Sequence, residues 1–206
     1  MKCLMASPTS ETASIPAPAV VADACFIASH RLTEWVSNSP TMEEDVAIGN
    51  IALDLLGQAR GLFSRLGEED QLAYFRDPSG WAHPVICELP NGDFGHTMLR
   101  LLFVSEWLSQ VWPQLTTADD DQVRGVAEKA IKENAYHLRH AGNWVVRLED
   151  GTAESIKRMA AARAELSPYA ADLAGGPPPP RHDRRTLVEL LAEMQSLARA
   201  HPGATW

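Results

Sequence analysis

No apolar run in the sequence approaches the ~20 residues that a helix needs to cross a bilayer, so no membrane partner is expected. Cysteine is scarce. The 3 cysteines (Cys3, Cys25 and Cys87) lie far apart, with neither metal-ligand spacing nor a disulfide framework, a usage that fits a reducing cytoplasm. Cations are outnumbered, 18 Lys and Arg against 27 Asp and Glu, for a net charge of −9. Nucleic acid needs clustered Lys and Arg along its phosphates, so it is excluded as a partner. Arg181, Arg184 and Arg185 form the one local basic run and read as a solvated linker. Residues 1–22 lack a continuous apolar segment of the signal-peptide kind and are expected to be a flexible tail. Period-two alternation of useful length and internal repeats are also missing.

What is present is helical periodicity. Residues 23–37 carry an apolar stripe of Cys25, Ala28, Leu32, Trp35 and Val36, with Asp23 as a possible cap. Thr41 and Glu44 form a capping box ahead of a second stripe (Ile48, Ile51, Leu55, Ala59, Leu62, Leu66) that Gly67 ends. A short helical piece over 68–76 and a proline- and glycine-rich loop over 77–92 follow. The third long helix, from Asp93 to a stop at Pro113, is apolar almost all round and belongs mid-bundle. With the first two helices it offers more apolar surface than one small core requires, so part of that surface is expected to face another chain. A fourth helix spans 118–148 behind Thr117. A fifth follows Thr152 and fades before Ser167 and Pro168. The last runs over 186–201 behind a second capping box, Thr186 and Glu189. The expectation is an all-α, ferritin-like four-helix bundle with additional C-terminal helices. Residues 23–206 form a single domain, and residues 174–185 are a Pro-rich linker before the last helix.

Chemistry in such a bundle should lie where polar residues fall on inward faces. His30 and Glu34 share a face, as do Asn50, Asp54 and Gln58. Asp93 and His96 are three apart, and Glu133, His137 and His140 follow one line that Trp144 extends. A di-iron site would need a Glu from two helices and a Glu-x-x-His pair from each of the other two. No Glu-x-x-His occurs in the four long helices. Asp54 is followed at i+3 by Gly57, and Glu133 by Tyr136 with His137 one residue late. Asp93 sits where an N-cap is also expected, and Asp54 could serve a purely structural polar network. Asp54, Asp93, His96, Glu133 and His137 are the candidates for a vestigial metal site.

Six blocks resemble one family. They are SHRLTEW (29–35), EEDVAIGNIALDLLGQAR (43–60), EDQLAYFRD (69–77), LPNGDFGHTMLR (89–100), KENAYHLRHAGNWVVRLEDGT (132–152) and LLAEMQSLARAHPGATW (190–206). The chain resembles the C subunits of the multicomponent phenylacetyl-CoA epoxidases. The resemblance implies a ferritin-like fold, no catalytic, cofactor-binding or metal-binding residues in this chain, and pairing with a di-iron catalytic subunit that binds phenylacetyl-CoA and oxygen. Other oxygenase components are further expected partners, and a separate reductase would bring electrons from NADPH. Two departures stand out: residues 1–22 lack a recognised counterpart, and residues 172–185 replace a longer segment. Two alternatives stay open, a free-standing di-iron or manganese oxidoreductase using the five candidates, and a binding or storage bundle.

Overall fold

The computed structural model describes residues 16–174 and 184–202, apart from the side chain of Ala198. The Pro-rich GGPPPP stretch and Arg181 lie outside the described residues. Among the described residues the chain is helical, without strands: α1 (Pro18–Thr33), α2 (Met42–Leu66), α3 (Glu69–Tyr74), α4 (Phe94–Leu115), α5 (Asp121–Glu149), α6 (Ala153–Leu173), α7 (Arg185–Met194) and α8 (Ser196–Ala200). Two 3-10 turns, Pro78–Gly80 and Val85–Cys87, interrupt the loop between α3 and α4. No described helix is long and apolar enough to cross a membrane.

Caps explain most boundaries. Thr41 Oγ1 accepts the Glu44 N–H at 3.3 Å, Asp93 Oδ1 the His96 N–H at 2.8 Å, and Thr152 Oγ1 the Ser155 N–H at 3.1 Å. Several boundaries differ from the sequence expectation. α1 starts at Pro18, with proline in its first turn, and Val21 and Ala22 are fully buried, so residues 18–22 belong to the bundle. α5 starts behind Asp120, whose Oδ1 accepts both the Gln122 and Val123 N–H groups at 2.9 and 3.1 Å, rather than behind Thr117. α4 carries Pro113 in its last turn and α6 runs through Pro168. Leu166 is fully buried beside Pro168, and Ser167 Oγ bonds the Arg163 carbonyl at 2.5 Å. α7 follows Arg184, a left-handed residue at φ 55°, and not a Thr186 cap.

α1 packs along α2, α4 along α5, α2 closes against α5, and α6 covers α4 and α5. This cover takes up the apolar surface of α4, whose large apolar side chains are all buried or half-buried. Of the apolar surface on the first three long helices expected to face another chain, little therefore lies on α4.

α1 is buried at every position from Val21 to Ser29. α2 covers one side and the loop after α3 another. Trp81, buried in that loop, stacks on Phe26 at 5.7 Å. Asp23, only 1% exposed, is no helix cap. Its carboxylate accepts Arg76 Nη1 at 3.1 Å, Arg76 Nη2 at 2.5 Å and the Ala82 N–H at 2.9 Å. Arg76 in turn lies 3.9 Å over the Trp81 ring. Further along α1, Arg31 donates to the Glu88 carbonyl from Nε and Nη2 (3.1 and 2.8 Å), to Thr186 O at 3.2 Å and to Glu34 at 2.7 Å. Glu88 is fully buried, with its carboxylate 2.7 Å from His83 Nε2 and 3.1 Å from Arg184 Nη2. Burial alone would raise this carboxyl, but His83 and Arg184 hold it below its ordinary range. Arg184 is thus a buried-network partner and not part of a solvated linker. These contacts fasten α7 onto α1.

Removing Asp23 should strand the Arg76 charge. Asp23→Ala should cost about 3 kcal/mol, at the low end for a broken buried pair because the Arg76 side chain keeps 18% exposure. The double variant Asp23→Ala/Arg76→Met should recover part of that loss in urea melts. Additive losses in the double variant would contradict the pairing.

His30 packs edge-on against Phe26 at 4.7 Å, and burial lowers its pKa from 6.5 to about 4. The folded state therefore binds fewer protons at this site than the unfolded state between those values. Stability should be complete above pH 6.5 and fall as the pH drops toward 4, with a slope approaching about 1.4 kcal/mol per pH unit from this residue. His30→Gln should flatten that part of the profile, measured by thermal melts at constant ionic strength. An unchanged profile would contradict it.

Candidate functional site

The structure divides the five residues singled out in the sequence between two places. Asp93 and His96 lie at the start of α4, facing α6. Asp93 acts as the cap and has Arg158 at 3.7 Å. His96 Nδ1 meets Asn91 O at 3.0 Å, and its Nε2 lies 3.6 Å from Glu165. Gly92 (φ +62°) makes room there, since a Cβ would sit 2.9 Å from the His96 ring. The other three line the α2–α5 seam. His137 Nε2 lies 3.2 Å from Asp54 Oδ2, and Glu133 accepts the Gln58 amide at 3.0 Å. Further along the seam, Glu44 turns inward to within 3.1 Å of His140 Nε2, and Tyr136 stacks on His140 at 5.9 Å. His30 and Glu34 part company: Glu34 belongs to the Arg31 network and also accepts the Asn91 amide at 3.0 Å. Asn50 is exposed, so it does not join Asp54 and Gln58 in a buried row.

Inside the bundle a different set of residues meets. Cys25 of α1 donates its thiol to Gln58 Oε1 of α2 at 3.6 Å. The Gln58 amide reaches Glu133 of α5. On the same turn, the Asn134 amide donates to the Ser105 carbonyl of α4 at 2.9 Å. Cys25, Gln58, Ser105, Asn134 and His137 are each no more than 2% exposed. One polar layer therefore crosses all four long helices. Ser105 Oγ, Asn134 Oδ1 and His137 Nδ1 lack a protein hydrogen-bond partner among the described residues, which suits ordered water in such a layer. Three of the five are not picked out by the sequence pattern. Cys25 falls within an apolar stripe, and Ser105 lies in a helix apolar nearly all round. Asn134 has a readable signal, because it stands three residues before His137, the spacing of an inward-facing i,i+3 pair.

Electrostatics keep the layer neutral. Burial pushes the His137 pKa down despite Asp54, and pushes His140 down despite Glu44. The Cys25 thiol is raised well above its ordinary value by burial and by neighbouring Cys87, which burial pushes up to about 12. A thiol, two amides, a hydroxyl and one imidazole do not fit a di-iron centre, which calls for four carboxylates and two imidazoles. The nearby carboxylates are otherwise engaged. Glu133 holds Lys129 at 2.7 Å as well as Gln58, and the Asp54 side chain sits at the rim, 35% exposed. Among the described residues no group of three or more His, Cys, Asp or Glu side chains could hold a metal ion.

The C subunit of the 1,2-phenylacetyl-CoA epoxidase of Escherichia coli (strain K12) is 39% identical over 157 residues, covering 73% of this chain and 63% of that protein. The chain thus spans less than two thirds of that relative's length. The family described as phenylacetic acid catabolic protein matches residues 5–185. This match takes in most of residues 1–22, correcting the expectation that they have no family counterpart, and includes the Pro-rich stretch. With residues 5–185 matched, the chain belongs to the phenylacetic acid catabolic protein family.

Proposed function

We propose that this chain is a non-catalytic, structural subunit of a phenylacetyl-CoA epoxidase, paired with a di-iron catalytic subunit in aerobic phenylacetate breakdown. The observation that carries this reading is the polar layer. A catalytic ferritin-like bundle gathers carboxylates between its four facing helices; between its own, this chain buries Cys25, Gln58, Ser105, Asn134 and His137. Cys25 is bonded to Gln58 and Asn134 to the Ser105 carbonyl, and the two pairs are joined across the α2–α5 seam by Glu133, whose charge Lys129 already balances. Substrate, oxygen and iron then belong to the catalytic partner, and electrons from NADPH reach that partner through a reductase. The likeness to the C subunit of an epoxidase supports the same assignment. The free-standing oxidoreductase reading is weaker, because its five candidate residues do not converge. Two buried free thiols, Cys25 and Cys87, support work in a reducing compartment such as the cytoplasm.

The purified chain, loaded with Fe(II) under argon and desalted, should retain well under one iron per chain and develop no oxo-bridge absorption in air. Two tightly held irons per chain would overturn the non-catalytic reading.

A further inference from the structure

We infer that the solvent-facing ridge of α2, over residues 42–57, is the surface on which the catalytic subunit docks, through a helix laid along it. This rests on the subunit reading above. Met42, Val46 and Leu53 are 80%, 59% and 64% exposed, and the exposed or half-exposed positions on the same side are Gly49, Asn50 and Gly57. At 1.5 Å per residue this is an uncharged ridge about 24 Å long. A solvent-facing helix side ordinarily carries charge. α5 follows that rule, exposing Glu128, Lys132, Arg139 and Arg147. The α2 ridge breaks it in a chain of net charge −9.

The glycines supply a second, independent observation. Glycine inside a helix costs stability relative to alanine. At Gly61 this chain itself demands glycine, because a Cβ would lie 2.6 Å from Val126 Cγ2. At Gly49 and Gly57 a Cβ would meet nothing within 4 Å, so nothing in the described chain accounts for either; Gly125 on α5 is equally open but stands alone there, whereas the two on α2 flank exposed Leu53. Gly49, Leu53 and Gly57 are spaced by four, so the ridge is one exposed leucine between two notches, each a turn away. That relief suits the close approach of a second helix.

Charge selects the occupant. Exposed Glu43 and half-exposed Asp54 border the ridge on its α5 side, where Glu133 is already paired with Lys129. A second copy laid antiparallel would set Glu43 and Asp54 against the same two residues. The complementary partner is an apolar helix flanked by Lys or Arg on another bundle subunit.

The full chain, co-expressed with its catalytic partner, tests this by light scattering on size-exclusion fractions and by titration. Leu53→Asp and the pair Gly49→Leu/Gly57→Leu should each weaken the complex by about tenfold or more. Val146→Asp, on exposed α5 surface, should leave it unchanged. The leucine pair guards against trivial unfolding: alone, it should melt at or above the parent temperature, because leucine is the better helix former. A parent complex matched in affinity by the folded ridge variants would overturn the docking surface while leaving the subunit reading intact. No complex with the parent chain would overturn both. Loss of a homodimer with an unaffected heterocomplex would overturn the heterologous occupant and make it a second copy.

Discussion

Two charges buried on α1, Asp23 and Arg31, dictate where the rest of the chain outside the bundle must go. A helix buried on every side cannot leave a carboxylate or a guanidinium unpartnered without a large desolvation cost. Asp23 recruits Arg76 and the Ala82 amide, which folds the loop after α3 over the helix and stacks Trp81 on Phe26. Arg31 recruits the carbonyls of Glu88 and Thr186, which binds that same loop and α7 to one point. Arg100, buried on α4 and lowered to about 10 chiefly by burial, gathers the carbonyls of Leu89 and Pro90 from the other side. The outer layer is therefore organised by charges from the core.

The interior of the bundle follows the opposite rule. There the fully buried polar groups are uncharged, and hydrogen bonds from Cys25 through Gln58 to Glu133 at the seam, and from Asn134 to Ser105, link the helices. Under the proposed subunit role, the contribution of such a bundle to an oxygenase lies in its surface. The uncharged ridge of α2 offers such a surface, while the loop and α7 shield α1.

Much of this is legible in the sequence. Apolar spacing locates the long helices, and Thr41, Asp93 and Thr152 mark three starts because capping is a local interaction. The missing Glu-x-x-His pairs are legible for the same reason, since i,i+3 spacing is a local fact. What escapes depends on tertiary context. Asp23 reads as a cap because nothing local announces a partner at Arg76. Pro168 reads as a stop because the burial of Leu166 is a long-range effect. Glu133 reads as the inward residue because it carries the charge, whereas the helix turns Asn134 and His137 to the core and leaves Glu133 at the seam with Lys129. The Arg184 contact to Glu88 joins residues far apart in the chain and has no signature in a basic run.

The central claim is that this chain supplies structure and its partner supplies chemistry. The most direct measurement is NADPH-dependent turnover of phenylacetyl-CoA with the reductase and with each subunit present alone or together. The account predicts no turnover by this chain alone, slow or no turnover by the catalytic subunit alone, and full activity on mixing, undiminished when His137→Gln replaces the one imidazole of the polar layer. Turnover by this chain and the reductase alone, or a mixture that gains nothing from its presence, would contradict it.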